Sequence, residues 1–187
     1  MRKMAALFLG VVVTTSAFGV VTEATTRQLY AVHQQSGVAL LVALNNASPV
    51  RNAGKIYHAY TGCEVRWSFR WNTSPTGMCE ITSVATTLSV KMTLPELKTS
   101  TLAGSAEFQK YFPALLRHEE GHRKIGQDAA YAADRAIFNL RPMLSCKELE
   151  LEANRAGMEI LERAKRVEIE YDISTEHGCT QGACLAR

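Results

Sequence analysis

The chain has 187 residues, with 21 basic and 18 acidic side chains and a formal net charge of +3 at pH 7. This near balance leaves no excess of basic residues for a nucleic-acid surface, so we expect no nucleic-acid partner. The length is that of one domain with its own hydrophobic core.

The N-terminus has the features of a secretory signal peptide. Arg2 and Lys3 precede the apolar stretch AALFLGVVVTTSAFG, and small residues at Ala17 and Gly19 predict cleavage after Gly19. The stretch is short and interrupted by Thr and Ser, which favours a cleaved signal over an uncleaved membrane anchor. Its removal would leave 19 basic and 18 acidic residues. We expect residues 20–187 to form a single periplasmic or secreted domain with no stable membrane insertion.

Strands dominate the first part of this predicted domain. Residues 27–33 have the composition of a strand, and Ser36 is the predicted N-cap of a short helix. Apolar and polar residues alternate over residues 64–71 and again over residues 84–92, as in half-buried strands. Residues 72–78 (NTSPTGM) form the predicted loop between these two strands.

Five cysteines favour disulfide bonds in an exported chain. They are Cys63, Cys79, Cys146, Cys179 and Cys184. None lies in a C-x-x-C pair, which argues against a redox motif or a zinc ribbon. We expect two bridges and one free thiol. A Cys63–Cys79 bridge would join neighbouring strands, and a bridge from Cys146 to Cys179 or Cys184 would attach the C-terminal tail to a helix. The pairing stays open at the level of sequence.

Residues 118–122 spell H-E-x-x-H, the most informative pattern in the chain. Residues four apart lie on the same face of a helix, so His118 and His122 can bind one metal ion. Glu119 lies beside them, where its carboxylate can act as general base toward a zinc-activated water. This is the zinc-peptidase pattern, which needs a third ligand from elsewhere in the chain. We therefore predict one Zn²⁺ per chain.

The surroundings of the motif predict a long amphipathic helix that begins near Glu107 and ends before Pro142. Apolar residues recur in it at three- and four-residue steps: Leu115, Ile125, Ala129, Ala132, Ala133, Ala136, Ile137 and Leu140. Pro113 fits the first turn of such a helix. Gly121 is unfavourable inside a helix by about 1 kcal/mol relative to alanine. We expect a strand, a helix or a substrate to approach closely there.

Two other interpretations of the motif are weaker. The histidines would be ordinary surface residues if this helix face were only solvated and charged, but the complete motif in a helical context favours zinc. A di-iron carboxylate site needs a second E-x-x-H pattern. None of His33, His58 and His177 has a glutamate three residues before it, which excludes the di-iron interpretation.

A second helix is predicted from the capping box at Ser145–Glu148 to about Glu168. An antiparallel return of roughly 35 Å, at about 1.5 Å per residue, would bring the tail back to the two histidines. His177 is the preferred third zinc ligand, because imidazole is the more usual partner of two histidines. Asp172 is the alternative ligand or would otherwise orient a ligand imidazole, and Tyr171 is a candidate donor to the oxyanion.

Several short motifs resemble the DUF922 family, bacterial proteins described as predicted secreted zinc-dependent proteases. They are Tyr30-Ala31-Val32, Tyr60-Thr61, Val65-Arg66-Trp67, Cys79-Glu80-Ile81, Thr93-Leu94-Pro95, Leu116 to His122, and the tail Tyr171-Asp172-x-x-Thr175-x-His177-Gly178-x-x-Gln181-Gly182. The resemblance extends over nearly the whole mature chain and implies a zinc peptidase. It supplies no substrate.

The sequence thus predicts an α+β, zincin-like metallopeptidase domain with a small antiparallel sheet followed by two long antiparallel helices. The expected activity is hydrolysis of a peptide or protein substrate, with Glu119 as general base and Tyr171 as oxyanion donor. The predicted zinc ligands are His118, His122 and His177. The alternative is a non-catalytic cell-envelope binding module whose zinc is structural or absent. A closed four-ligand site with both His177 and Asp172 would favour that alternative.

Overall fold

The computed structural model describes residues 20–99 and 101–186. The predicted signal peptide, residues 1–19, lies outside these ranges. The elements in chain order are β1 (Val20–His33), α1 (Leu40–Ala47), β2 (Val50–Asn52), β3 (Lys55–Tyr57), β4 (Tyr60–Thr73), β5 (Cys79–Thr99), α2 (Leu102–Phe138), α3 (Cys146–Thr175) and a 3₁₀ turn, Cys179–Gln181. The fold is α+β, and no helix in the described ranges is both long and apolar enough to cross a membrane.

Strands β1, β5 and β4 form a three-stranded sheet with β5 in the centre. β4 and β5 are antiparallel, as expected for strands joined by a short loop. β1 is parallel to β5, so the prediction of a purely antiparallel sheet was wrong and the sheet is mixed. Residues 34–78 separate the two strands, which is ample for the crossover that parallel neighbours require. Alternation reveals which side chains share a face, but it does not reveal strand direction.

The hydrophobic core lies between one face of the sheet and α2. Every second residue of β5 from Val84 to Leu94 is buried, and Tyr111, Ala114, Leu115 and Ala130 of α2 belong to the same buried set. α2 begins at its Thr101 cap, whose side chain accepts a hydrogen bond from the Gly104 amide. Pro113 therefore lies well inside α2, not in its first turn as predicted.

α3 runs antiparallel to α2 and continues seven residues beyond its predicted end near Glu168. Its cap is as predicted, since the Ser145 hydroxyl accepts a hydrogen bond from the Glu148 amide at 3.2 Å. Ile137 and Ala153 share a core cluster near one end of the helix pair, and His122 meets Glu168 toward the other. The extra turns of α3 bring Asp172 to the histidines of α2.

Two disulfide bonds are present, Cys79–Cys146 and Cys179–Cys184, and Cys63 is a free thiol. The expected count is confirmed, but both suggested pairings were wrong. In the β4–β5 ladder Cys63 lies opposite Val90 and Cys79 opposite Thr73, so the first pair cannot meet. Cys146 is separated from the tail by a 30-residue helix of about 45 Å. The bridges fit an oxidising compartment and hence export.

Candidate metal centre

Three donor atoms from α2 and α3 converge on one point. His118 Nε2 and His122 Nε2 are 3.3 Å apart, and each lies 3.2 Å from Asp172 Oδ1. These atoms form the one group of metal-ligand type found among the described residues. Ligands bound tetrahedrally to zinc at about 2.0–2.1 Å are separated from one another by roughly 3.3 Å. The donor set therefore has the composition and spacing of one face of a zinc tetrahedron.

The second nitrogen of each histidine ring has its own hydrogen-bond partner. His122 Nδ1 lies 2.6 Å from Glu168 Oε2, and His118 Nδ1 lies 3.1 Å from Gln181 Oε1. A carboxylate and an amide oxygen can only accept, so both Nδ1–H groups donate and both Nε2 lone pairs face the donor group. This arrangement fixes tautomer and ring orientation, as outer partners do in metal sites.

Electrostatic surroundings distinguish the two histidines. Burial lowers the pKa of His118. Burial also acts to lower the pKa of His122, but the hydrogen bond and charge of Glu168, aided by Asp172, outweigh it and leave the pKa raised. In the metal-free chain a proton on His122 therefore competes with a metal ion for the same site.

Glu119 is buried beside the donor group without belonging to it. Its side chain points toward β4, where the Thr61 hydroxyl donates to Oε2 at 2.6 Å. Burial raises the pKa of Glu119, and the Thr61 hydrogen bond and the nearby His122 only partly oppose that effect. Thr61 thus holds one carboxylate oxygen of Glu119, and Glu119 lines the cleft.

Tyr171 packs against the histidines and not into the cleft. Its ring stacks on His118 with centroids 5.0 Å apart and 11° between planes, and its hydroxyl donates to the His118 carbonyl at 3.2 Å. An added Cβ on Gly121 would lie 2.0 Å from the Tyr171 hydroxyl oxygen, which confirms the expected close approach and identifies α3 as its source. The single O–H donor of Tyr171 is therefore engaged by the His118 carbonyl, and the role of Tyr171 as oxyanion donor stays a prediction.

His177 lies next to the donor group but outside it. Its side chain is 45% exposed, Nδ1 is 3.4 Å from Asp172 Oδ1, and the ring meets the edge of Tyr57 at 5.3 Å. Glu176 and His177 follow the end of α3 with left-handed φ angles of 49° and 53°, which turn the chain away from the helix axis. The structure thus brings Asp172, and not His177, together with His118 and His122.

Sequence reasoning assigned no role to four residues that support the site: Thr61, Glu168, Gln181, and Thr175, whose hydroxyl oxygen lies 3.4 Å from His118 Nδ1. Glu168, Asp172 and Thr175 are spaced by four and three residues, which places them on one face of a helix. That signal was concealed when the helix was predicted to end near Glu168. Thr61 and Gln181 lie in two of the motifs that resemble DUF922, but no local pattern assigns them a role, because long-range packing brings them to Glu119 and His118.

A cleft of about 1440 Å³ opens over the donor group. α2 contributes His118, Glu119 and His122 to its wall, and the C-terminal end of α3 contributes the exposed apolar side chains of Ile169 and Ile173. The remaining wall is formed by α1, the β2–β3 hairpin and the segment after α3. The cleft therefore extends to the metal-ligand group.

Paired helical histidines, a third carboxylate donor and a separate buried glutamate form a group that could hold one metal ion, and this group lines the cleft. Residues 27–178 match the sequence profile of DUF922, described as bacterial proteins of unknown function, and the chain belongs to this family. No curated protein and no solved structure shows a significant match to the chain.

Proposed function

We propose that this protein is an exported zinc-dependent peptidase of the zincin type. His118, His122 and Asp172 would hold the ion, and Glu119 would act as general base. The observation that carries the proposal is the triangle of 3.2–3.3 Å between the three donor atoms, with Glu119 adjacent but outside it. Asp172 replaces His177 as the proposed third ligand, because Asp172 Oδ1 lies 3.2 Å from the Nε2 atoms of both histidines.

When bound, zinc supplies Lewis acidity that activates a water at near-neutral pH and polarises a carbonyl. The carboxylate of Glu119 accepts the proton of the attacking water and delivers it to the leaving amine. Thr61 keeps that carboxylate oriented by donating to Oε2. Glu168 and Gln181 hold the two ligand rings in the tautomer that leaves Nε2 unprotonated.

The ligand count supports catalysis over a purely structural role. Structural zinc sites are almost always closed by four protein ligands, whereas catalytic sites have three and leave one position open. The described residues supply three donors, and the cleft gives access to them. A non-catalytic envelope module with a structural zinc would require a fourth ligand, for which His177, 3.4 Å from Asp172 Oδ1, is a candidate, whereas a module without zinc would require none.

The test is Glu119→Gln in the mature protein. Because Glu119 is not a ligand, the variant should retain about one zinc per chain, as expected for a mononuclear site. It should lose roughly 10²- to 10⁴-fold of peptide hydrolysis, since only the proton transfer is removed. Zinc content by elemental analysis and cleavage of a peptide library measure the two properties separately. Loss of zinc in this variant would make Glu119 a ligand, and a zinc-loaded wild type that cleaves nothing would favour the binding module.

A further inference from the structure

The outer edge of β1 is uncovered. β1 pairs with β5 and, within the part of the chain that the structure describes, with no other strand. Every residue from Ala24 to Leu29 is exposed, including those whose side chains point toward the α2 face of the sheet. A row of main-chain N–H and C=O groups therefore borders solvent, as at any unpaired strand edge.

β1 lacks the usual features that keep one strand edge from meeting another. It has 14 residues, contains neither lysine nor proline, and its register with β5 shifts only near its C-terminal end. Charged side chains that point inward also protect an edge. In β1, however, Glu23 and Arg27 each pair with an opposite charge of α2, Arg123 and Glu120. The edge can therefore accept a strand without burying an unpaired charge.

The sequence of β1 is complementary to itself when a second copy runs antiparallel to it. Around a two-fold axis at Thr25, the opposite residues are Val21 with Leu29, Thr22 with Gln28, Glu23 with Arg27, and Ala24 with Thr26. These pairs join apolar to apolar, negative to positive, and small or polar residues to each other, as favourable cross-strand pairs do. Moving the axis by one residue would set Val21 against Arg27 or Glu23 against Leu29. The axis at Thr25 avoids both mismatches.

The same axis is compatible with the charges around β1. Opposite residues of an antiparallel pair point to the same face of the sheet. Glu23 and Arg27 lie beside Leu88 and Met92 of β5, which are buried under α2, so both charges are on the α2 face. Glu23 of each copy would meet Arg27 of the other. With their α2 partners these residues carry equal positive and negative charge, so the two edges attract and do not repel.

An apolar groove lies at one end of the paired segment. The groove has a volume of about 430 Å³, and its lining includes Leu29 of β1 with Phe108 and Phe112 of α2. At the other end, Tyr131 is 46% exposed and lies one helical turn after Gln127, whose side chain contacts β1. The two-fold axis brings Val21 of one copy to Leu29 of the other and places Tyr131 on the side of the groove. Apolar contact would therefore add to the main-chain pairing.

The main chain supplies enough hydrogen bonds for a specific contact. Alternate residue pairs of an antiparallel ladder exchange two hydrogen bonds each, so residues 21–29 of two copies would form about eight to ten. A typical protein–protein interface has about ten direct hydrogen bonds.

We infer that two copies of this protein associate through β1 and join their three-stranded sheets about a two-fold axis at Thr25. The occupant of the edge is a second copy because the segment matches itself in charge, polarity and apolar contact in one register. The inference goes beyond the proposed function and does not depend on it, since the metal-ligand group lies on α2 and α3.

The first experiment measures the mass of the mature protein by sedimentation equilibrium, from low micromolar to the highest soluble concentration. We expect a dimer that dissociates on dilution. Leu29→Lys should weaken it at least about tenfold, because a charge would face Val21 in the interface. Leu151→Lys, at a 62% exposed position of α3, is the matched control and should have no effect. A monomer at every concentration, or equal effects of the two folded variants, would overturn the inference.

The second experiment tests the register by cross-linking in a Cys63→Ser background, which removes the free thiol. Thr25→Cys should form a disulfide-linked dimer with oxidised glutathione, because the residue lies opposite itself with Cα atoms about 4.5–5.5 Å apart. Thr22→Cys is the control, since the two copies of that residue would be about 20 Å apart. Equal cross-linking of the two variants, or none in either, would contradict the inference. This test decides alone if Leu29→Lys does not fold.

A mixture of two variants checks the register a second time. Ala24→Cys and Thr26→Cys in the same background should cross-link to each other when mixed and much less when each is alone, because Ala24 lies opposite Thr26 and about 7–8 Å from its own counterpart. Intact-mass spectrometry distinguishes the mixed dimer from the two homodimers. Homodimers that form as readily as the mixed dimer would show that the axis does not lie at Thr25.

Discussion

Each histidine of the candidate metal centre is oriented by a side chain of α3 or of the tail that follows α3. Glu168 fixes His122, Gln181 fixes His118, and the Tyr171 ring stacks on His118. Asp172 lies on the same helix face as Glu168, but the two carboxylates contact different nitrogen atoms of the histidines. Glu168 contacts the outer nitrogen of His122, whereas Asp172 contacts the inner nitrogens of both rings.

The identity of the third ligand is testable with two single substitutions. Asp172→Ala should reduce zinc from about one per chain to a small fraction, because two histidines alone bind weakly. His177→Ala should retain zinc, since its ring lies outside the donor triangle. Elemental analysis after dialysis against a weak chelator measures both, with Glu170→Ala on an exposed part of α3 as control. Retention of zinc in Asp172→Ala together with its loss in His177→Ala would restore His177 as the ligand.

At the scale of elements, α2 and α3 approach so closely at Gly121 that a side chain has no room. Gly121→Ala should destabilise the fold by about 1–3 kcal/mol through overpacking against Tyr171. In a Tyr171→Ala background the same substitution should be neutral or stabilising, because alanine favours a helix by about 1 kcal/mol over glycine. Urea unfolding of the four proteins measures this coupling, and purely additive effects would show that the two residues do not meet.

The two disulfides should differ in what their loss affects. Cys79–Cys146 closes a loop of 67 residues and Cys179–Cys184 one of 5. Loop entropy then predicts a loss of about 4 kcal/mol of stability for the first pair and about 2 kcal/mol for the second when replaced by serine. Only the second pair encloses Gln181, so only its removal should weaken zinc affinity, by about 10- to 100-fold. Urea unfolding and competition with a zinc chelator measure the two properties, and equal zinc affinities would exclude this role for the tail loop.

Element boundaries mark the limit of what the sequence could predict. The H-E-x-x-H helix, the Ser145 cap and the β4–β5 pair follow from local patterns, and the structure contains all three. Pro113 suggested a helix start because its missing N–H suits a first turn, yet the packing of neighbouring Tyr111 and Ala114 keeps α2 continuous. The last turns of α3 have few apolar residues in a helical stripe. Their helical state depends on polar contacts with α2 that only the folded chain provides.

At the scale of the whole molecule, metal binding should couple stability to pH in a defined direction. In the zinc-free chain the two ligand histidines act oppositely. The lowered pKa of His118 gives stability that is lost as pH falls, and the raised pKa of His122 gives stability that is lost as pH rises through its folded value. In the zinc-free chain these two contributions to stability therefore oppose each other around pH 6.5.

The zinc-dependent part of stability should vary strongly over the same range. Both rings must be neutral to bind the ion, so the rise in Tm on adding zinc should be large at pH 8 and should shrink as pH falls through and below 6.5. Differential scanning calorimetry with zinc and with a chelator measures the difference. The double variant His118→Ala, His122→Ala should show no zinc effect at any pH. A zinc increment that grows toward low pH would contradict the assignment of these rings as ligands.

The burial pattern of α3 gives the metal centre a further consequence. The buried positions of α3 are Leu149, Ala153, Gly157 and Thr175, so none falls between residues 158 and 174. Hydrophobic burial therefore holds the first half of α3 to the protein, while the second half depends on the polar contacts of Glu168, Tyr171 and Asp172. In the proposed peptidase, binding of the ion to Asp172, His118 and His122 would add to these contacts and tie this half of α3 more firmly to α2. On this proposal an exported chain that emerges unfolded would complete the packing of the second half of α3 when the ion binds, and a chelator would loosen that half again.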